Sequence, residues 1–235
     1  MALPRARASG RRTPAREAAA REPRRPRRRI RLDNDARRAQ LVALATVTFA
    51  ERTYDEVSID DLARAAGISK GLLYHYFPTK RDLYVAGLRA TADELIARST
   101  SAAAPELPPL ERMRAGLDAY LDHVSRHARA FVALMRGGIG SDPEVAAVIE
   151  DVRRTYVQQF LARAGGTPLA GATLDLPRVR LAVRGWIGMV EAASIDWLAS
   201  PGLDRATVRD FLVDALVAIT QVALAPAPAP PPRGR

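Results

Sequence analysis

Between Ser58 and Leu83 the chain reads S-I-D-D-L-A-R-A-A-G-I-S-K-G-L-L-Y-H-Y-F-P-T-K-R-D-L. The groups here that can do chemistry are the hydroxyls of Ser58, Ser69, Tyr74 and Tyr76, the imidazole of His75 and the ammonium groups of Lys70 and Lys80. They are hydrogen-bond donors and point charges, suited to phosphate oxygens and base edges. His75 is better explained by such contacts than by catalysis. Gly71 sits among them and lets the backbone come close to a base or a phosphate. A helical wheel puts Lys70, Gly71, Tyr74 and His75 on one side, and Leu72, Leu73, Tyr76 and Phe77 on the other. The first set faces DNA, and the second packs on Leu62 and on apolar residues upstream. Lys70 and Lys80 are the only lysines of a chain that elsewhere uses Arg.

A second set lies further along. Tyr120, His123, Phe131, Tyr156, Phe160, Trp186, Met189 and Trp197 punctuate apolar stretches. Pockets for small molecules are mostly apolar with a few placed polar groups, which this mixture offers. Taken singly, each residue reads as core or surface; as a group they supply the lining of a cavity. Trp186 and Trp197 are eleven residues apart, about three helical turns, so they share a face that looks into a pocket or along a subunit contact. Glu191 or Asp196 can orient a ligand or pair with Arg184. His123 and His127 stand at i, i+4, a spacing able to hold zinc. Their segment, H-V-S-R-H, has no glutamate between them, and the chain has no cysteine. No metal is therefore expected. Nor is there a nucleophile elbow, a dinucleotide fingerprint or a phosphate loop, since Gly137-Gly138-Ile139-Gly140 is not followed by Gly-Lys-Ser/Thr. The expectation is a protein that is not an enzyme and needs no cofactor.

The elements that must position these groups read as helices throughout. Ile59, Leu62, Ala63 and Ala66 recur at helical spacing. Gly67 follows, where a turn needs positive φ. Ser69 caps the next helix, Pro78 ends it, and Thr79 caps another with Asp82 at its third position. Two short helices joined by a glycine-containing turn form a helix-turn-helix. The second helix of such a unit can enter the DNA major groove. Upstream, a helix from Asp35 to Arg52 carries the stripe Leu41, Leu44, Ala45, Thr48 and Phe49. Downstream, a helix runs from Lys80 to Ser99, and a Pro/Ala linker occupies Ala102 to Pro109. Further helices fall near 110–126, 128–136, 143–164, 176–199 and 204–224. No segment alternates with a period of two, so the fold class is all-α.

Gly67-Ile68-Ser69, Leu73-Tyr74-His75-Tyr76-Phe77 and Lys80-Arg81-Asp82-Leu83 resemble the DNA-binding domain of the TetR/AcrR family of transcriptional regulators. So do Leu41-Val42-Ala43-Leu44-Ala45, Phe49-Ala50 and the run from Thr53 to Ile59. The resemblance spans Arg37 to Leu88, with Thr53 where the family usually has glycine and Tyr76 where histidine is common. It implies an N-terminal three-helix DNA-binding domain and a larger helical domain that binds an effector and dimerises through its last two helices. Those helices suit that role. Helix 176–199 has small residues at Ala182, Gly185, Gly188, Ala192 and Ala193, which permit close approach. Helix 204–224 is apolar nearly all round and needs burial on several sides. The expected seam comprises Gly185, Gly188, Ala192, Phe211, Leu212, Leu216 and Ile219.

Composition sets the remaining bounds. The net charge of +10 is matched by residues 1–32, which hold twelve Arg and two Glu; the other 24 basic and 24 acidic side chains balance. This Arg- and Pro-rich stretch has too little apolar surface to offset ordering entropy, so a disordered arm that adds phosphate contacts is expected there. Residues 226–235, rich in Ala-Pro, read as a second disordered tail. Cysteine is absent, no apolar run reaches the roughly 20 residues of a membrane span, and the basic N-terminus lacks the apolar stretch of a secretory signal. A cytoplasmic location follows, with no membrane partner.

The expected organisation is an arm over 1–32, a helix-turn-helix domain over 33–80, an effector and dimerisation domain over 81–225, and a tail over 226–235. The expected function is a homodimeric repressor, released from a palindromic double-stranded DNA operator by a small apolar or aromatic effector. The rivals are an activator, a regulator without an effector, and a nonspecific nucleic-acid-binding protein acting through its Arg-rich arm.

Overall fold

The computed structural model of the protein describes residues 27–164, 176–200 and 202–225. Nine α-helices and one 3-10 turn make up these residues, and no strand occurs among them. They are α1 (Arg27–Glu51), α2 (Ile59–Ala65), α3 (Lys70–Tyr76), α4 (Lys80–Ala102), α5 (Pro109–Arg126), α6 (Ala128–Arg136), the turn Gly138–Ser141, α7 (Pro143–Ala164), α8 (Leu176–Ala199) and α9 (Arg205–Leu224). α1 begins eight residues before the expected Asp35, so residues 27–32 of the expected arm are helical. The earlier part of the arm and the 226–235 tail lie outside the described residues.

One hydrophobic cluster organises the N-terminal helices. Leu41, Ala45 and Phe49 of α1 meet Val57, Leu62, Leu73 and Phe77, and Leu83, Tyr84 and Val85 of α4 close the cluster. Local chemistry sets each turn. Ser58 and Asp61 form a reciprocal capping box with bonds of 3.1 Å each way, which starts α2. Gly67 adopts φ +64°, the left-handed conformation that glycine reaches without strain. The Ser69 hydroxyl accepts from the Leu72 amide at 3.2 Å and starts α3. Thr79 and Asp82 repeat the capping box at α4, at 3.0 Å each way. At Thr53, the Glu56 carboxylate accepts from the Thr53 amide at 2.9 Å and closes the turn after α1.

A second cluster holds the C-terminal helices. Leu117 and Leu121 of α5 and Val157 of α7 pack with Val179, Val183, Trp186, Ile187 and Val190 of α8, and with Val208, Leu212, Val213 and Leu216 of α9. The Trp186 indole donates to the Leu212 carbonyl at 2.8 Å and fixes α8 on α9. The two clusters are not separated by the linker that composition marks. Val145 and Val148 of α7 belong to the N-terminal cluster. Arg81, at the start of α4, grips Asp142 at 2.5 and 2.7 Å and Glu144 at 3.0 Å, just before and within α7. These hydrogen bonds hold the Asp142 carboxyl below its ordinary range, so the tie loosens only as pH falls through that lowered value. Arg129 of α6 reaches Glu56 in the same way.

Candidate nucleic-acid interface and ligand cavity

Helix α3 divides as a reading helix must. Leu73 and Phe77 are buried, while Gly71, Tyr74 and His75 are exposed. A Cβ added at Gly71 would meet nothing nearer than the Ser69 Oγ at 4.0 Å, so the backbone there lies open to approach. Leu72 departs from the wheel: it is 40% exposed and belongs to the outer face. Tyr76 is partly buried against the N-terminal cluster and meets the His75 ring edge-on. Ser58 and Ser69 spend an oxygen lone pair on capping and keep a hydroxyl proton to donate. Lys70 pairs with Asp60 at 2.6 Å with both side chains about half exposed. Such a pair contributes little and exchanges readily for a phosphate.

Lys80 differs from its expected phosphate role. Its ammonium donates to the carbonyls of Tyr54 and Val57 at 2.9 and 3.1 Å and lies 3.9 Å from the centre of the Tyr54 ring. It ties the start of α4 to the loop before α2. Spacing in sequence could not separate this inward use from an outward one, because the acceptors are backbone carbonyls more than twenty residues away.

The larger domain encloses a cavity of about 460 Å³. Of the expected lining, Tyr120, His123, Phe131, Tyr156, Phe160 and Trp186 reach it. Two do not. Met189 packs against the C-terminal cluster, and Trp197 donates its indole N–H to the Leu203 carbonyl at 2.9 Å, closing the loop before α9. Eleven residues place both tryptophans near one helix face, but the cavity ends before Trp197. Its walls also include Thr46 and Phe49 of α1 and a long stripe of α4, which composition did not mark. The acidic candidates are already matched. Glu191 accepts both arms of Arg153 at 2.8 and 2.7 Å, Arg184 reaches Glu150 at 3.1 Å, and Asp196 meets Arg136 at 3.0 Å.

Among the residues that line the cavity, His123 Nδ1 and Arg112 Nε are buried away from it without a hydrogen-bond partner, and the Tyr120 hydroxyl, equally buried, bonds to Ser194. Burial, and then the neighbouring His127, push the His123 imidazole down to about 4, so it is neutral at ordinary pH. Burial pushes the Tyr120 phenol up. No group of three metal-ligating side chains occurs among the described residues. No described helix is long and apolar enough to cross a membrane.

The expected dimer seam divides in two. Gly185 and Ala192 are exposed, and a Cβ added at Gly185 or Gly188 would meet nothing within 4 Å. Phe211 is 58% exposed, and Leu181 and Val222 lie on either side of the same shallow groove with Ile219. Leu212 and Leu216 point the other way, at 0% and 4% exposure, into their own chain's core. An all-round apolar helix does not announce which of its faces its own chain covers.

Residues 41–86 match the family described as bacterial regulatory proteins, tetR family, and residues 109–219 match the tetracyclin repressor-like C-terminal domain. The regulator EthR of Mycolicibacterium smegmatis is 34% identical over 167 residues, 67% of this chain and 73% of that protein. The transcriptional activator FasR of the same organism is 27% identical over 194 residues, 81% of this chain and 84% of that one. A crystal structure of a tetR-family transcriptional regulator from Streptomyces coelicolor superposes with a TM-score of 0.70 at 35% identity, covering 80% of this chain and 82% of that one. A helix-turn-helix with its outer face free, followed by a helical domain of matching sequence and fold, makes this chain a member of the TetR/AcrR family of DNA-binding transcriptional regulators, not an enzyme.

Proposed function

We propose that the chain is a cytoplasmic homodimeric repressor that reads a palindromic operator and is released by an apolar effector held in the cavity. One observation carries the DNA-reading part: α3 buries Leu73, its C-cap Phe77 is buried beside it, and Gly71, Tyr74 and His75 are left outward. Those residues read bases, while Ser58, Ser69, Lys70 and Tyr76 hold phosphates, with Arg37, Arg38 and the basic arm adding charge. Dimerisation uses the exposed Gly185, Gly188, Ala192, Phe211 and Ile219, with Leu181 and Val222 extending the patch. Two-fold symmetry then places two copies of α3 on successive half-sites. A mostly apolar cavity between α4, α5, α7 and α8 supports an apolar effector.

The test is selection of bound duplexes from a random DNA library with the full chain, followed by gel-shift titration. An inverted repeat with half-sites about one helical turn apart is expected. Bound DNA with no consensus, lost on deleting residues 1–32, would favour nonspecific binding through the arm. FasR, a relative over most of the chain, is an activator, so activation is the second reading. Run-off transcription from the selected site distinguishes the two by the sign of the effect.

A further inference from the structure

The outer face of α3 is not uniformly polar. Among the exposed apolar side chains of the chain, Leu181, Phe211 and Val222 lie on the face assigned above to the dimer. Leu72 has no such use. It is 40% exposed, and with Tyr74 it is one of two large hydrophobic side chains that α3 leaves in solvent. A leucine exposed singly is ordinary on a protein surface. Leu72, however, stands on the helix face that must shed water when α3 meets DNA.

Successive residues of a helix are about 100° apart around its axis. On α3 the residue opposite the buried Leu73 and Phe77 is His75, with Gly71 about 40° to one side and Leu72 about 60° to the other. Lys70 lies beyond Gly71 and Tyr74 and is held by Asp60 of α2 at 2.6 Å. The outer face therefore has a charged edge toward α2 and an apolar edge away from it. Leu72 is in the first turn of α3, where the Ser69 hydroxyl accepts from its amide at 3.2 Å. Residues at the start of a reading helix are the ones that reach base edges in the major groove. The neighbouring Gly71 adds no bulk, and a Cβ there would meet nothing nearer than the Ser69 Oγ at 4.0 Å. Nothing beside Leu72 on that flank holds it away from a base.

A leucine side chain neither gives nor accepts a hydrogen bond. Every base presents polar atoms in the major groove, and only thymine adds an apolar group there, its C5 methyl. Against guanine, cytosine or adenine, Leu72 would desolvate donors or acceptors and leave them unpaired, which is costly. We infer that Leu72 is a specificity-determining residue that reads a thymine, once in each half-site, by packing on its methyl group. This rests on the assignment of α3 as the DNA-reading helix. The operator then carries thymine at one symmetric pair of positions, selected by apolar contact and not by a hydrogen bond.

The experiment uses the full chain and the consensus duplex recovered from the random library. Each thymine of a half-site is replaced in turn by deoxyuridine, which pairs in the same way but lacks the methyl, and binding is read by gel-shift titration at fixed salt. One position should lose affinity about fourfold when one half-site is substituted and about fifteenfold when both are, the effect of one buried methyl in each. Leu72→Asn is close to leucine in size but has no methyl groups. In this variant thymine and deoxyuridine should bind equally at that position, while any other uridine-sensitive position keeps its effect. The variant should melt with the wild type, because residue 72 is exposed. A consensus without a methyl-sensitive thymine, or a sensitivity that Leu72→Asn retains, would overturn the inference and leave α3 as the reading helix. Recovery of no consensus would overturn the sequence-reading assignment itself, and this inference with it.

Discussion

Lys80→Met separates an internal tie from a DNA contact at one residue. The ammonium donates to the carbonyls of Tyr54 and Val57 at 2.9 and 3.1 Å and sits 3.9 Å from the Tyr54 ring centre. Methionine keeps most of the stem and removes the donors. A hydrogen bond from a charged donor contributes about 1.5–3 kcal/mol when buried, and a cation–π contact at a partly exposed site about 0.5–1 kcal/mol. Lys80 is only half-buried, and water can replace it at both carbonyls, so the total should be about 2 kcal/mol. For a domain of this size that lowers the melting temperature by about 4–8 °C. Thermal unfolding followed by circular dichroism measures it, alongside DNA titrations at several salt concentrations. The expected result is lower stability with an unchanged log–log salt slope. A variant of normal stability whose slope shrinks by about 0.9, the share of one phosphate contact, would refute the internal role.

Tyr74→Ala should weaken operator binding by about 1–3 kcal/mol, and Gly71→Asp by more, with melting curves unchanged, since both positions face outward. Wild-type operator affinity in both would remove α3 from the groove. Leu216→Arg should unfold the chain rather than divide a dimer, because Leu216 is 4% exposed within its own core and a buried unpaired charge is strongly destabilising. Phe211→Arg, at a 58% exposed position, should give folded monomers in sedimentation velocity; a persisting dimer would move the seam elsewhere. Arg81→Ala removes the grip on Asp142 and Glu144 and should leave operator affinity intact while blunting release by an effector bound in the cavity. Unchanged release would take this contact out of the coupling.

Local signals were legible where one short segment decides the structure. Gly67, Ser69, Pro78 and the Thr79–Asp82 pair each specify a turn or cap within four residues, and they place α2, α3 and α4 closely. The all-α class follows from the same periodicity. What stayed hidden depends on distant partners. Lys80 is held by carbonyls that no side-chain pattern marks. Leu212, Leu216 and Phe211 are alike in hydropathy, and only the packing of α9 on α5 and α8 sorts them into core and surface. The cavity draws its walls from α1, α4, α5, α6, α7 and α8, so aromatic residues alone could find part of it but could not exclude Met189 and Trp197. The joining of α7 to the N-terminal cluster through Val145 and Val148 has no local signature at all.

That joining shows a route by which occupancy of the cavity could reach the DNA-reading helices. α4 is one element common to both, capped at Thr79 and lining the cavity from Tyr84 to Ala103. It crosses α1 closely at Gly87, where an added Cβ would lie 3.2 Å from the Ala45 Cβ and 3.3 Å from the Thr46 amide nitrogen. Two close-packed helices at such a crossing cannot slide freely, so a displacement of α4 carries α1 with it. Arg81 ties the same helix to the start of α7. A ligand between α4 and α7 would therefore act on two elements that are each anchored to the N-terminal core. The energy required is modest. Moving a two-state equilibrium from 1:99 to 99:1 takes about 5.5 kcal/mol of differential affinity. At about 25 cal/mol per Å² that corresponds to roughly 220 Å² of apolar surface buried in one state and not the other. A ligand filling a mostly apolar cavity of about 460 Å³ would bury more than that, so only part of its contact need distinguish the two states for the proposed release of the operator.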